Sequence, residues 1–575
     1  MLSNSIAAGC LATAYVLILI LQLNPALPLD PGRLAPLVTT VGLFYVVNLT
    51  VVCYVAIVVH EVLAREVSSP AWLSVGVLTW LGALVSAAGA ALMWANLLTF
   101  ERVLDAATVT AMTEGVATLA AAAFSSLLLA WARRAAGRHR APLAFLLLVI
   151  ASASVAVPVA ARGPGSLPPL EARPIDTPVD FTSGGPAPRV QMIALDAGSL
   201  DFIVNATADG RLPNFGRILD SGAVMHLATI HPTSAEAVWA AAVTGKLPLK
   251  NGVRSAGIYR FAGGDVVELL PNYCFAYELL RFGFLTLEPH TSATLRTRAL
   301  WGMLSTHGVS VGAVAWPLTQ PAPAVSGYIV SDTYLQLAQT PSGIVDSAGV
   351  YPPEAQADVT RAVEVATVDA DAAAAAGGLR GPRDEGPGRT DRIYGEIAME
   401  LGVRRAPQVA LTRYQRLDPV GHYFLRYATP SAFGDAPDDE HRALAPVLER
   451  HYRAIDDAVG LAIRSLAPND LLLVVSGFGM EPMGLWKRLV ERVIGDADLS
   501  GTHDAAPDGF LMAYGAAVAR GRLMTRASVV DVAPTVLYFL GLPVGRDMDG
   551  YARTDIFQRS FTDERPITFI PTYDR

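Results

Sequence analysis

Charged residues are scarce in this chain of 575 residues, at 17% of the sequence, whereas hydrophobic residues make up 52%. An average soluble domain carries about 25% charged residues. The formal net charge is −8, and no basic stripe occurs outside one short connection, which excludes a nucleic-acid polymer as a partner. A chain of this length and composition is expected to combine a membrane-embedded part with a globular domain.

Cysteine is nearly absent, with three residues in the whole chain. Cys10 and Cys53 lie in apolar stretches, and Cys274 is the only cysteine after them. This distribution excludes a disulfide within the globular part and a metal cluster built from thiolates.

Long apolar runs are confined to the part of the chain before residue 162. We predict five membrane-spanning helices, because each run can cross a hydrocarbon core of about 30 Å. The five runs cover residues 6–23, 37–59, 72–98, 111–131 and 142–161. The fourth is rich in alanine and contains Glu114, so an interfacial or buried helix is the alternative for that run.

The orientation of the spans follows from the arginines. The connection after the fourth run contains Arg133, Arg134, Arg138 and Arg140, so the positive-inside rule places it in the cytoplasm. The N-terminus is then cytoplasmic, and the chain after the fifth span lies outside the plasma (inner) membrane, on the periplasmic side. The first run lacks a basic n-region and a clear cleavage site, so we interpret it as a retained anchor.

The sequence predicts three regions: a membrane domain over residues 1–162, a linker rich in Pro and Gly over 163–189, and a globular domain over 190–575. Short apolar strands alternating with helical segments predict an α/β fold, with a mostly parallel sheet covered by helices on both faces. An inserted cap is expected over about 255–400. Within it, residues 368–389 are rich in Ala and Gly and predict a mobile surface loop.

One β-strand ends in a carboxylate at the start of the globular domain. Residues 190–195 are mostly β-formers, Asp196 follows, and Ala197-Gly198 form a turn before an amphipathic segment. The carboxyl ends of strands in an open α/β sheet line the ligand crevice, so Asp196 is a candidate metal ligand. An ordinary helix N-cap is the alternative.

Four separated sequence blocks stand out in the globular domain. The first is LPNFGRILDSGA with the following PT…W…TGK…NGV. The others are YQRLDPVGHYF, GTHDAAPDGFL and DVAPTVLYFLGLPVGRDMDG. Together these blocks resemble the type I phosphodiesterase and nucleotide pyrophosphatase branch of the alkaline phosphatase superfamily. They stand in the family's order and cover nearly all of the globular domain.

The resemblance implies a metal-dependent phosphoesterase. Such proteins hold two metal ions, usually zinc, beside a Ser or Thr nucleophile at a helix N-terminus, and react through a covalent phospho-enzyme. Asp418, His422 and His503 match the ligands of one ion, a donor set that suits catalytic zinc. Asp196 matches a ligand of the other ion.

The second ion's site departs from the family pattern. Gly477 and Phe478 stand where the family has Asp and His, and Ala235 stands at the nucleophile position. Thr233 and Ser234 are the candidate replacement nucleophiles. Alternatively, Thr233-x-x-Glu236 forms a capping box, in which the hydroxyl bonds to its own helix. We therefore expect one divalent ion rather than two.

Two functions follow from these features. The first is a membrane-anchored, extracytoplasmic phosphodiesterase-like hydrolase or phosphotransferase. Its substrate would be a nucleotide-like, lipid-linked or envelope-linked phosphoester. The second is a degenerate relative without catalysis, acting as a membrane-tethered binding or envelope-assembly factor. Asp418, His422 and His503 favour the first function, and the losses at Ala235, Gly477 and Phe478 favour the second.

Overall fold

The computed structural model describes residues 1–64, 72–136, 141–163, 187–261, 266–338, 347–377, 382–429, 438–523 and 526–574. The chain forms two compact units. One contains residues 1–169 together with 257–289, and the other contains 170–256 together with 290–575. The connection at 137–140, with Arg138 and Arg140, and most of the predicted linker, 164–186, lie outside the described residues.

The membrane unit contains five helices that are long and apolar enough to cross a bilayer, which confirms that part of the prediction. They are α1 (Leu2–Leu23), α2 (Leu43–Ala64), α3 (Val75–Phe100), α4 (Ala106–Ala136) and α5 (Ala141–Arg162). A rise of about 1.5 Å per residue gives α1 a length of about 33 Å. The fourth helix also meets the length and hydropathy criteria for a span.

A second stretch of chain belongs to the same unit. Residues 257–289, which we call the insertion, form a small antiparallel sheet with strands Ile258–Phe261, Val266–Val267 and Leu285–Glu288. The cap expected over about 255–400 is therefore divided. Its first part packs with the membrane helices, and its later part contributes strands to the sheet of the globular unit.

The globular unit is built on one mixed sheet. Its strands are β1 (Val190–Leu195), β2 (Ala223–Ala228), β3 (Val311–Trp316), β4 (Gly327–Ser331), β5 (Val350–Tyr351), β6 (Val409–Tyr414), β7 (Leu471–Phe478), β8 (Asp508–Tyr514), β9 (Arg522–Leu523) and β10 (Ala527–Ser528). The order is β9-β2-β8-β7-β1-β6-β3-β4-β5, and β10 also pairs with β2. The central strands β7, β1, β6, β3 and β4 run parallel, while β8 and β5 are antiparallel to their neighbours. This confirms the predicted α/β fold.

Helices cover the sheet and hold the apolar core. They are α6 (Leu200–Ala208), α7 (Pro213–Ser221), α8 (Ala235–Thr244), α9 (Gln356–Gly377), α10 (Pro382–Arg405), α11 (Leu417–Ala428), α12 (Asp438–Ser465), α13 (Leu485–Ile494) and α14 (Val532–Phe539). Burial of apolar side chains from α6, α7, α11 and α12 against β1 and β7 forms one large core cluster.

The loop predicted for residues 368–389 is wrong in part. Residues 368–377 continue α9 and residues 382–389 begin α10, while 378–381 lie outside the described residues. Alanine has the highest helix propensity of all residues, so an alanine-rich run extends a helix that tertiary packing has already started.

Candidate active site

Three of the predicted metal ligands lie at the carboxyl edge of the central strands. Strand β6 leads into α11, where Asp418 stands in the first turn and His422 follows one turn later. Residues four apart on a helix share a face, which explains how these two side chains converge. His503 follows the short strand Gly501–Thr502, whose backbone lies beside α11.

The geometry of these side chains suits a metal ion. One ligand atom from each residue can be chosen so that all three lie within 4.8 Å of one another. His422 Nε2 and His503 Nε2 are each 3.6 Å from Asp418 Oδ1. Ligands about 2.1 Å from a tetrahedral ion stand roughly 3.4 Å apart. The separation therefore fits a shared ion with little movement.

The neighbouring groups leave His422 Nε2 and Asp418 Oδ1 available to bind a metal ion. The Nδ1–H of His422 donates to the carbonyl of Gly501 at 2.8 Å, which directs the Nε2 lone pair toward Asp418. Asp418 Oδ1 is buried and has no hydrogen-bond partner among the described residues, as expected of a ligand atom without its ion. The side chains are still 21% to 27% exposed, so water or a small substrate can reach the group.

Burial raises the pKa of Asp418, and the neighbouring imidazoles of His503 and His422 oppose that rise. A bound cation would favour the carboxylate further, because an opposite charge at contact distance stabilises the ionised form. The residues present therefore fit one divalent ion.

Asp196 lies in a different set of contacts. Its Oδ1 accepts from Trp239 Nε1 at 2.6 Å and from Arg413 Nε at 3.0 Å, and its Oδ2 accepts from Arg413 Nη2 at 2.6 Å. Both oxygens are engaged by protein donors in a buried, bidentate ion pair. Asp196, predicted as a metal ligand, therefore has both carboxylate oxygens occupied by protein donors.

Arg413 is the buried partner of Asp196, and the sequence analysis did not identify it. It is only 5% exposed, and its Nη1 lies 3.7 Å from Asp332 Oδ2. Burial raises the pKa of Glu236 to about 7 and that of Asp332 to about 6, while the charge of Arg413 opposes both shifts. The available signal was the alternation in β6, where Arg413 shares the buried face with Val409 and Leu411.

Apolar groups fill the positions where the family carries its Asp-His pair. A Cβ added to Gly477 would stand 2.3 Å from Val238 Cγ1, so helix α8 packs directly on that glycine. Phe478 is fully buried, and its ring meets the His503 ring edge-on at 5.4 Å. The second metal site of the family therefore does not fit this chain.

The two candidate nucleophiles lie at the start of α8. Ser234 is the N-cap, and its Oγ accepts from the backbone N–H of Ala237 at 3.3 Å. The Thr233 hydroxyl donates to the carbonyl of Ile230 at 2.9 Å. The capping box predicted at Thr233 is therefore wrong, because the helix begins at Ala235 and its cap stands one residue later than expected.

Comparison with known proteins identifies the family of the globular domain. The family model for type I phosphodiesterase / nucleotide pyrophosphatase matches residues 190–533. Solved structures of murine and human ectonucleotide pyrophosphatase / phosphodiesterase 5 are similar at 12% and 13% identity, with TM-scores of 0.38 and 0.37. Each match covers 64% of this chain and 100% of that one. One further murine structure is an inactive variant in complex with AMP. No curated protein matches the chain.

Proposed function

Because the chain belongs to the type I phosphodiesterase and nucleotide pyrophosphatase family, we propose that its globular unit is a divalent-metal-dependent phosphoester hydrolase or phosphotransferase. The observation that carries this proposal is the convergence of Asp418, His422 and His503 with an unpartnered carboxylate oxygen between them. Zinc suits this donor set of one oxygen and two nitrogens. When bound there, the ion would polarise a phosphoryl oxygen or lower the pKa of a coordinated water or alcohol.

Ser234 is our candidate nucleophile. It stands at the N-terminus of α8, where unpaired backbone N–H groups and the positive end of the helix dipole favour a phosphate. In the proposed step, a bond forms between Ser234 Oγ and phosphorus, the ester P–O bond breaks, and the hydroxyl proton leaves with the departing alcohol. Water, or a second alcohol in a phosphotransferase, then takes the phosphoryl group and regenerates the serine.

The other contacts of the site support a single ion. Arg413 holds Asp196 bidentately, and we propose that this fixed positive charge stands in place of the family's second cation. Because a guanidinium supplies no coordinated water or alkoxide, the nucleophile would be less activated than in a two-metal enzyme. We expect slow turnover for that reason.

We further propose that the globular unit lies on the extracytoplasmic side of the plasma (inner) membrane, with the N-terminus in the cytoplasm. The arginine-rich stretch 133–140, at the end of α4 and in the connection to α5, supports this orientation. An anchored enzyme in that compartment would meet phosphoesters carried by lipids or by the cell envelope, so we propose substrates of that class rather than nucleic-acid polymers.

The alternative is a catalytically degenerate protein that serves as a membrane-tethered binding or envelope-assembly factor. The observation that favours it is the state of the position where the family binds its second ion. There Asp196 forms an ion pair with Arg413, and Gly477 is packed against Val238. In that case the triad would hold a structural ion.

The deciding experiment uses purified full-length protein, stripped of metal and reloaded with Zn²⁺ or Mn²⁺, and bis(p-nitrophenyl) phosphate as the probe. We expect hydrolysis by the wild type and by His226→Ala, a control at an exposed histidine on β2. We expect none in His422→Ala or His503→Ala. Stoichiometric metal without hydrolysis of any phosphoester offered would overturn the enzyme proposal and support the binding factor.

A further inference from the structure

The insertion is fastened to the membrane helices by polar contacts at their ends. Asn24, the C-cap of α1, accepts from the backbone N–H groups of Glu268 and Leu269 at 2.9 and 3.0 Å, and donates to the Leu269 carbonyl at 2.8 Å. Asn96, in the last turns of α3, accepts from Asn272 N–H at 2.7 Å and donates to its carbonyl at 3.1 Å.

A third contact comes from the second span. Tyr45, near the start of α2, donates its hydroxyl to the carbonyl of Cys274 at 3.0 Å. Successive spans run in opposite directions, so the end of α1, the start of α2 and the end of α3 lie on one side of the bundle. The insertion therefore lies across a single end of the membrane unit.

Apolar contacts continue across the same junction. Buried side chains of the insertion, such as Tyr259, Phe261 and Leu279, share one core cluster with Ile20 of α1 and Tyr45 of α2. The ring of Phe44 lies 6.0 Å from Phe282 and 5.6 Å from Phe284. The insertion is thus a folded part of the membrane unit.

Four aromatic side chains of the insertion are nevertheless exposed: Tyr273, Phe275, Tyr277 and Phe282. Tyr273 and Phe275 also have positive φ angles of 66° and 56°. A left-handed backbone is strained for a residue that carries a side chain, and glycine avoids that strain. Large rings held at such positions, on the end of a bundle of spans, point to a contact with something outside the chain.

We propose that the insertion lies in the headgroup region of the bilayer and that these four rings contact lipid. Tyrosines concentrate at membrane interfaces, because their rings meet the acyl chains while their hydroxyl groups stay near water, and phenylalanine rings beside them add apolar contact with the chains. The length of α1, about 33 Å, matches a hydrocarbon core of about 30 Å and puts Asn24 at the boundary. The insertion, held by Asn24, therefore stands at the depth where aromatic belts form.

The chain leaves the globular unit at residue 256, passes through the lipid-facing insertion, and returns at residue 290. The proposal rests on the membrane spans and their contacts, and it is independent of whether the globular unit hydrolyses phosphoesters.

The test uses wild-type protein in lipid nanodiscs that hold one copy each. The discs contain a phospholipid with a diazirine near its headgroup, and tryptic peptides are analysed after photolysis. Peptide 261–281 carries three of the rings, and 282–296 carries the fourth. Peptide 547–553 carries Tyr551, a control that is 78% exposed against 74% for Tyr273. A parallel sample is oxidised by hydroxyl radicals.

We expect lipid adducts on peptides 261–281 and 282–296 and none on 547–553. We also expect oxidation of Tyr273 to be several-fold slower than that of Tyr551. Equal oxidation without adducts would place the insertion in water and overturn the proposal. Protection without adducts would also overturn it, because one copy per disc leaves only the chain itself as the cover.

Discussion

Replacing Arg413 with alanine should destabilise the centre of the globular sheet. Arg413 is the charge partner of Asp196 and lies close to Asp332, and all three side chains are largely withdrawn from water. Removing one member of a buried ion pair leaves an uncompensated charge and typically costs about 3–5 kcal/mol. A free-energy change of about 1.4 kcal/mol is a factor of ten in an equilibrium constant. Amide exchange in β1 and β6 should therefore accelerate roughly 10²- to 10⁴-fold wherever the opening equilibrium of the sheet governs exchange.

The assay is hydrogen–deuterium exchange of the full-length protein in detergent, followed on peptides that contain β1 and β6. Arg526→Ala is the matched control, because Arg526 makes a 2.8 Å ion pair with Asp508 but is mostly exposed. Exposed pairs contribute only about 0–1 kcal/mol. An Arg413→Ala variant that exchanges like Arg526→Ala would refute the view that Arg413 compensates buried carboxylates.

The loss of stability in the Arg413→Ala variant should also depend on pH. Burial raises the pKa of Asp332 to about 6 while Arg413 opposes the shift, so loss of Arg413 should raise that pKa further. A carboxyl with a raised folded-state pKa is stabilising while protonated, and that contribution is lost as the pH rises through the folded pKa. The variant should therefore be closer to the wild type at pH 5 than at pH 8. An equal defect at both pH values would contradict this reasoning.

Three further predictions concern α8 and its neighbours. Gly477→Ala should cost about 1–3 kcal/mol through overpacking against Val238, and Val238→Ala in the same chain should recover part of the loss in the thermal midpoint. Ser234→Ala should abolish phosphodiester hydrolysis while Thr233→Ala retains it; the reverse result would exclude Ser234 as the nucleophile. Burial raises the pKa of Glu236 from 4.5 to about 7, so its contribution to stability is present below pH 4.5 and lost as the pH rises through 7. Glu236→Gln should flatten that dependence of the thermal midpoint, and an unchanged slope would show that the pKa of Glu236 is not raised in the folded protein.

Much of the fold could be predicted because its signals are local. The five spans are visible as apolar runs, and strands such as β1 and β7 are apolar runs with turn residues around them. The pair Asp418 and His422 could be found because a spacing of four residues lets them converge and matches the family's motif, and His503 joined them through the same resemblance.

The pairing of Asp196 could not be predicted in the same way. A carboxylate at the end of a strand can meet a metal ion or an arginine, and only the three-dimensional contact with Arg413 distinguishes them. The insertion was missed for a related reason. Its apolar residues, such as Leu269 and Leu279, look like an ordinary globular core, while their partners lie some 240 residues earlier in the chain, at Asn24 and its neighbours.

The most direct test of the account is the metal content of the full-length protein, measured by inductively coupled plasma mass spectrometry after dialysis against a metal-buffered solution. We predict one divalent ion per wild-type chain and none in a variant carrying Asp418→Asn and His503→Ala. Two ions per wild-type chain, or one ion retained in that double variant, would contradict the assignment of a single-ion centre to Asp418, His422 and His503.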